Sequence, residues 1–219
     1  MSPEHARFNM VEQQIRPWNV LNETVLDTFR FLPREKFVLP EWRNLAFADV
    51  EIPIGNHEFM MHPRVEARML QELAIKPTDH CLEIGTGSGF VTACMAHLGL
   101  HVDSVDIYSD FSRQAEQRLE SIEITNFNLY NDDASQGWQG NSDKQYDVIA
   151  VTGSLPEYIT AFEERLNIGG RLFIVTGTAP AMHALLITRD DENEYSRTAS
   201  FETSLKALSG SELPQAFEF

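Results

Sequence analysis

The sequence predicts an α/β fold: a doubly wound, mostly parallel β-sheet with helices on both faces, preceded by a helical extension. From about Asp79 onward, short apolar segments alternate with amphipathic helical segments. Such alternation requires crossover connections, and these build a parallel sheet. The 219 residues, 42% of them hydrophobic, are enough for one such domain with its own core.

Residues 1–76 form the predicted helical extension, because their pattern is helical, interrupted by prolines and without clear alternation. Asn22 can cap a helix that ends near Pro33, and Pro63 is suited to the first turn of another. The apolar faces of these two helices consist of Val25, Leu26 and Phe29, and of Val65, Met69, Leu70 and Leu73.

Residues 77–208 form the predicted α/β domain, and residues 209–219 form a loosely held tail. The predicted parallel strands are 81–84, 102–107, 127–130, 146–152 and 172–175. The predicted helices are 90–98, one capped by Asp110, and 157–166. Segments 185–188 and 201–205 suggest two more strands, which we expect to be antiparallel.

Composition excludes several kinds of partner and site. The formal net charge is −16, from 33 acidic and 17 basic residues, which argues against binding to nucleic acid or to an anionic membrane. The seven histidines are scattered, so we expect no metal site. Cys81 and Cys94 are expected to be reduced core thiols. The N-terminus lacks a signal sequence and no segment has transmembrane length, so we expect a cytoplasmic location.

A glycine-rich loop, residues 82–89 (LEIGTGSG), follows the first predicted strand and opens a helix. Ligands bind at this place in open α/β sheets. A dinucleotide fingerprint would need glycine where Phe90 stands, and the Gly-Lys-Ser/Thr ending of a P-loop is absent. The E-x-G-x-G-x-G pattern resembles the first motif of class I S-adenosylmethionine-dependent methyltransferases. The candidate cofactor-binding residues here are Glu83, Gly85, Thr86, Gly87 and Gly89.

Three acidic residues follow the next two predicted strands. Asp106 ends the second strand, next to Ile107, and a carboxylate there can accept both ribose hydroxyls. Asp132 and Asp133 follow the third strand, where side chains of these methyltransferases meet the adenine edge. The three acidic residues and Ile107 are therefore candidates for cofactor binding.

Further segments resemble the protein-L-isoaspartate (D-aspartate) O-methyltransferase family. They are residues 10–16 (MVEQQIR), 33–38 (PREKFV), 46–49 (AFAD), 52–55 (IPIG), 82–89 and 133–138 (DASQGW). The resemblance extends from about residue 8 to 177. It implies a Rossmann-like methyltransferase fold, S-adenosylmethionine as methyl donor, S-adenosylhomocysteine as product and a substrate loop before residue 76. It also implies protein repair, by methylation of an isoaspartyl carboxylate in a protein or peptide.

The sequence departs from this family in the substrate loop, where the family has Thr-Ile-Ser-Gln-Pro and this chain has residues 59–63, FMMHP. Met61 replaces the serine thought to position the substrate carboxylate, and His62 replaces the glutamine; these are the two candidate catalytic positions. An isoaspartyl carboxylate, with a pKa near ~3.9, needs no general base. Losing one hydrogen bond to it costs roughly 1.5–3 kcal/mol, or about one to two decades in rate.

Other functions stay open because of this departure. The chain could methylate a different acceptor, including a small molecule, with His62 or His57 accepting a proton. It could also bind the cofactor without turnover. Nucleic-acid methylation is disfavoured, since residues 151–156 (VTGSLP) lack the Asn/Asp-Pro-Pro-aromatic motif. A monomer is favoured, although the sequence does not fix the oligomeric state.

Overall fold

A computed structural model of the chain describes the structure of residues 2–211. The predicted tail therefore lies outside the described residues from position 212 onward. In chain order the strands are β1 (Ile52–Gly55), β2 (Glu58–Met60), β3 (His80–Ile84), β4 (His101–Asp106), β5 (Phe127–Asn131), β6 (Tyr146–Leu155), β7 (Leu166–Thr178), β8 (Ala181–Asp191) and β9 (Glu194–Glu202). The α-helices are α1 (Pro3–Asn9), α2 (Glu23–Phe31), α3 (Pro63–Leu73), α4 (Phe90–Leu98) and α5 (Ser109–Glu120).

Seven strands form the central sheet, in the order β5-β4-β3-β6-β7-β8-β9. The first five are parallel, whereas β8 and β9 pair antiparallel at one end. The strand order reverses between β3 and β6, and such a switch point is the usual ligand site of an open α/β sheet. The predicted fold class is confirmed.

Two predictions about the C-terminal half were wrong. Residues 157–166 contain no α-helix, only a 3-10 turn at Glu163–Arg165 before β7 begins. Glu163 turns inward there, where it accepts a hydrogen bond from Tyr158 and pairs with Arg197 at 2.7 Å. The last strand is β9 rather than 201–205. This edge strand is largely exposed, so it lacks the apolar pattern that would have marked it.

Two of the three helix starts predicted from capping residues are confirmed. The Asn22 side chain accepts hydrogen bonds from the backbone N–H groups of Thr24 and Val25 and so caps α2, as predicted. Pro63 begins α3, also as predicted. Asp110, predicted as a cap, instead lies in the first turn of α5, where its charge complements the helix dipole.

The N-terminal extension contains a β-hairpin that the sequence analysis missed. β1 and β2 pair antiparallel, and the two residues between them, Asn56 and His57, have positive φ angles of 50° and 60°. A turn of this kind matches the twist of a two-stranded hairpin. The hairpin ends at Met60, so it brings the predicted substrate loop, residues 59–63, next to the central sheet.

The extension and the sheet share one hydrophobic core. Buried residues of the first 76 positions, such as Met10, Phe29 and Leu70, belong to the same apolar cluster as Val102 of β4 and Phe173 of β7. α3 packs against β6 and β7. Within residues 2–211, no helix is both long enough and apolar enough to cross a bilayer.

Candidate active site

A cleft opens at the carboxyl ends of β3, β4 and β6. Four further parts of the chain complete its walls: the β1–β2 hairpin with Met61, the start of α5, the loop after β5, and a C-terminal segment, residues 205–209. We call this last segment the strap. The cleft therefore lies at the switch point of the sheet.

The glycine loop forms the floor of this cleft. Gly85 and Gly87 line it, with φ angles of +99° and +49° that favour glycine. A Cβ on Gly85 would lie 2.4 Å from Oγ1 of Thr152 at the end of β6. That hydroxyl donates to the Gly85 carbonyl at 2.7 Å and so fixes the loop. The floor is thus bare backbone that a ligand can approach closely.

Asp106 lies at the centre of the cleft with its carboxylate held by two backbone donors. Gly87 N donates to Oδ2 at 2.8 Å and Tyr108 N donates to Oδ1 at 2.9 Å. Burial raises the pKa of Asp106 above its ordinary value, while these two hydrogen bonds work in the opposite direction. Each carboxylate oxygen can accept a second hydrogen bond, so the group can receive two hydroxyls from a ligand. Ile107, which is 41% exposed, lies beside it along the cleft.

Asp132 and Asp133 form another wall, after β5. The Asp132 carboxylate accepts from Trp138 Nε1 at 3.1 Å and from Asp133 N at 2.9 Å. Asp133 in turn accepts from Ser135 N at 2.9 Å, and Ser135 also lines the cleft. The DASQGW segment therefore builds one self-supporting turn that presents polar groups to the ligand space.

Three residues of the predicted cofactor set lie outside the cleft. Glu83 is fully buried beneath the loop, where its Oε2 accepts hydrogen bonds from Thr92 and Ser104. Thr86 is also buried and shares a 2.6 Å hydrogen bond with Ser104. Gly89 precedes α4, and its φ of +86° permits a close approach to α5. These three residues contact the loop and its neighbours, and Glu83 and Thr86 also line a smaller pocket next to the cleft.

The two candidate catalytic residues point to different places. Met61 is buried and lines the cleft next to Phe59 and Ile54, which gives this end an apolar wall. His62 does not line the cleft: its Nδ1 lies 3.4 Å from Asp49 Oδ1, and it precedes α3. His57, in the hairpin turn, is exposed and does not line the cleft either.

The sequence analysis did not identify the strap as part of the site. Its backbone pairs with Ser154 of β6, through Ser154 N to Lys206 O and Leu208 N to Ser154 O, both at 2.9 Å. Glu58 of the hairpin receives a hydrogen bond from Ser209 Oγ at 2.9 Å and forms an ion pair with Lys206 at 2.5 Å. The strap therefore connects the hairpin to the sheet across the cleft.

Acidic side chains dominate the lining. Glu51, Glu58, Asp106, Asp132 and Asp133 all contribute to it, against a single basic residue, Lys206, among the described residues. Lys206 is already engaged by Glu58 and by the carbonyl of His57, at 3.0 Å. The cleft is consequently suited to a ligand that carries hydroxyls and positive charge.

Two solved structures share this fold over most of the chain. A Plasmodium falciparum protein, described as a protein-L-isoaspartate O-methyltransferase in complex with S-adenosyl-L-homocysteine, superposes with a TM-score of 0.80 at 18% identity, covering 94% of this chain and 97% of that one. A second protein-L-isoaspartate O-methyltransferase has a TM-score of 0.77 at 21% identity, covering 94% of this chain and 66% of that one. At such identities these likenesses establish the fold alone.

The sequence profile of one family, described as protein-L-isoaspartate(D-aspartate) O-methyltransferase, matches residues 5–210. The match extends well beyond the segments that first suggested the resemblance. It confirms the predicted enzyme class, a methyltransferase with S-adenosylmethionine as its methyl donor. The chain therefore belongs to the protein-L-isoaspartate(D-aspartate) O-methyltransferase family.

Proposed function

We propose that this chain transfers a methyl group from S-adenosylmethionine, held in the cleft, to the carboxylate of an isoaspartyl residue in a peptide or protein. The observation that carries the proposal is that Asp106 lines the cleft with its carboxylate bonded to the backbone of the glycine loop. This arrangement offers what a nucleoside needs, a fixed acceptor for two hydroxyls beside backbone that can be approached closely. Gly85 supports the fit further, because a Cβ there would collide with the Thr152 hydroxyl and so displace the loop backbone.

The remaining cofactor contacts are assigned from the cleft lining. We assign Gly85, Gly87, Asp106 and Ile107 to the nucleoside and its tail, and Asp132 and Asp133 to the adenine side. Glu83, Thr86 and Gly89 act through the loop that they support rather than by touching the ligand. Acidic groups along the cleft also favour the positive charge of a sulfonium.

S-adenosylmethionine supplies, when bound, an electrophilic methyl group on a sulfonium. The residues of this chain need only align the acceptor and exclude water, because an ionised carboxylate attacks without a general base. The apolar wall of Phe59 and Met61 removes water from the acceptor end and thereby strengthens the attraction between carboxylate and sulfonium. Met61 itself donates no hydrogen bond to the carboxylate.

A second candidate, a methyltransferase for a different acceptor, is favoured by the charges at the acceptor end. Lys206 is the basic side chain nearest to a substrate carboxylate, and Glu58 already neutralises it. Together with the missing hydroxyl at Met61, this leaves an isoaspartyl group without an unpaired cationic side chain among the lining residues that the structure describes. An acceptor with an apolar surface would suit the same wall. His62 would not serve as its base from the position next to Asp49.

We further propose that the acceptor is a protein or peptide rather than a nucleic acid, since the net charge of −16 repels phosphates. A cytoplasmic location and a role in the repair of aged proteins are proposed on the same basis as the isoaspartyl acceptor. A monomer remains our expectation.

The test is transfer of labelled methyl groups to an isoaspartyl peptide, with the matched aspartyl peptide as control. Binding of S-adenosylhomocysteine is measured first by calorimetry, so that cofactor binding and turnover are separated. Transfer that requires the isoaspartyl linkage would support the proposal. Cofactor binding without any transfer would refute the isoaspartyl assignment and favour the second candidate, which is then tested with a panel of apolar carboxylic acids and amines.

A further inference from the structure

One buried arginine, Arg34, is unused by the proposed chemistry although it contacts the substrate loop and the first residue after the glycine loop. Its side chain is fully buried, in the 3-10 turn Arg34–Lys36 that follows α2. A buried guanidinium is costly unless it is paired and hydrogen-bonded. Its partners therefore indicate what the surrounding structure holds in place.

The partners of Arg34 come from three segments around the acceptor end of the cleft. Nη1 forms an ion pair with Glu66 of α3, which is itself buried. Nη2 donates to the backbone carbonyl of Met61 at 3.0 Å. The guanidinium also stacks over the ring of Phe90, 4.6 Å from its centroid. Phe90 is the first residue of α4, directly after the glycine loop.

The hydrogen bond to the Met61 carbonyl fixes the backbone of the substrate loop. Met61 joins β2 to α3, and its side chain faces the cleft while its carbonyl is bound by Arg34. Because the same guanidinium rests on Phe90, it sets the substrate loop relative to the start of the helix that follows the glycine loop. Movement of either loop would have to disrupt a buried, charged contact.

We propose that Arg34 is a positioning residue for methyl transfer, which holds the Met61 backbone at a fixed distance from the glycine loop. This inference rests on the proposed function, in which alignment of acceptor and donor provides most of the catalysis. A displacement of about 1 Å in such a reaction can lower the rate by roughly 100-fold. Lysine cannot replace arginine here, because its single ammonium group cannot bridge two partners in the same planar geometry.

The chain offers a matched control at the other end of α3. Arg171 also bridges a carboxylate and backbone carbonyls: it pairs with Asp79 at 2.6 Å and donates to Leu73 O at 2.9 Å and Ala74 O at 3.0 Å. Arg171 does not line the cleft. Arg34→Lys and Arg171→Lys thus remove the same kind of bridge, but only the first touches the substrate loop.

The first measurement compares kcat, KM and S-adenosylhomocysteine affinity in these two variants, with the isoaspartyl peptide as acceptor. We expect Arg34→Lys to lower kcat by about 10- to 100-fold with cofactor Kd within about threefold, and Arg171→Lys to keep kcat near the wild-type value. The double variant Arg34→Met with Glu66→Met removes the tether without leaving a buried charge, so it should fold and show the same loss in kcat. Equal losses in both lysine variants, or a normal kcat in the double variant, would overturn the proposal.

The second measurement does not depend on turnover. In protein labelled with ¹³C at the methionine methyl groups, the Met61 signal is assigned with Met61→Leu. We expect Arg34→Lys to shift and broaden this signal, and Arg171→Lys to leave it unchanged. If the wild type fails to methylate the peptide, the proposed function is refuted. The Met61 signal then still tests whether Arg34 positions the Met61 backbone. An unchanged Met61 signal in Arg34→Lys would refute the positioning role.

Discussion

Glu83 is fully buried beneath the glycine loop, and replacing it by glutamine should change how stability depends on pH. Its Oε2 accepts hydrogen bonds from Thr92 and Ser104, whereas its Oε1 has no hydrogen-bond partner within the described residues. Burial raises the pKa of Glu83 from 4.5 to about 8, although the two hydroxyl donors work against this. The folded protein therefore holds a proton on this side chain over a pH range in which the unfolded chain has lost it.

The direction and size of the effect follow from this difference. Between pH 4.5 and about 8 the folded state binds more protons at Glu83, so the free energy of unfolding falls as the pH rises. The stabilising contribution is complete below pH 4.5 and is lost as the pH approaches 8. Each pH unit in this window corresponds to about 1.4 kcal/mol. The contribution of Glu83 should thus decrease by roughly 2–3 kcal/mol between pH 6 and pH 8.

Urea unfolding at several pH values, followed by tryptophan fluorescence, measures this directly. Glu83→Gln is neutral at every pH, so the unfolding free energy of the variant minus that of the wild type should rise by that amount from pH 6 to pH 8. Other titrating groups cancel in this difference as long as Glu83 does not alter them. A difference that stays constant with pH would show that Glu83 is ionised in the folded protein, and the reasoning about its burial would be refuted.

Three further substitutions test the cleft and its supports. Asp106→Asn should weaken binding of S-adenosylhomocysteine by roughly 10- to 100-fold in calorimetry, because hydrogen bonds to a charged group are lost; an unchanged Kd would contradict the assignment of this carboxylate. Gly89→Ala should lower the free energy of unfolding by about 2–4 kcal/mol, since its Cβ would lie 2.8 Å from that of Ala115 at a φ of +86°. The control Gly169→Ala has a similar φ of +79° and open space, so it should lose only about 1 kcal/mol, and equal losses would exclude the contact. Met61→Ser should raise kcat for an isoaspartyl peptide by about 10-fold or more, whereas no gain would show that the missing hydroxyl is not limiting.

The sheet was predictable because its parallel strands are buried on both faces. β3 and residues 148–151 of β6 are almost wholly buried, so their segments read as short, largely apolar blocks between helices and turns. The glycine loop was predictable for a related reason: its positive φ angles restrict the residues that can stand there. Both signals are local in the sequence, because each comes from a segment whose backbone conformation or burial allows few residue types.

The hairpin of β1 and β2 escaped prediction because its residues give conflicting signals. Pro53 lies within β1, where proline is tolerated only at an edge without a ladder donor. The turn residues Asn56 and His57 follow Gly55, so the sequence lacks the Asn-Gly or Asp-Gly pair that most clearly marks a two-residue turn. Pairing with a neighbouring segment, rather than propensity, decides the structure of such a short hairpin.

The strap could not be predicted from sequence for a different physical reason. Its hydrogen bonds with β6 are two backbone bonds at Ser154 and one from the Ser154 hydroxyl to the carbonyl of Leu205. The strap contributes only backbone atoms to these bonds, so they leave no side-chain pattern in its sequence. Its ion pair joins Glu58 to Lys206, which are far apart in the chain, and nothing in either segment marks the other as a partner. The resemblance visible in the sequence motifs ended at about residue 177, before the strap begins, although the family profile matches as far as residue 210.

The acceptor end of the cleft therefore depends on contacts between distant segments, and this changes how the altered substrate loop is interpreted. From the sequence, Met61 signifies a lost hydroxyl. In the structure, the backbone of the same residue is tied to Arg34, so the loop keeps a defined position although its side-chain chemistry differs. At the same end, Glu58 neutralises the lysine that could have bound a substrate carboxylate. On the proposed function, the site would align an acceptor against the apolar wall, with alignment rather than a charged partner providing the selectivity.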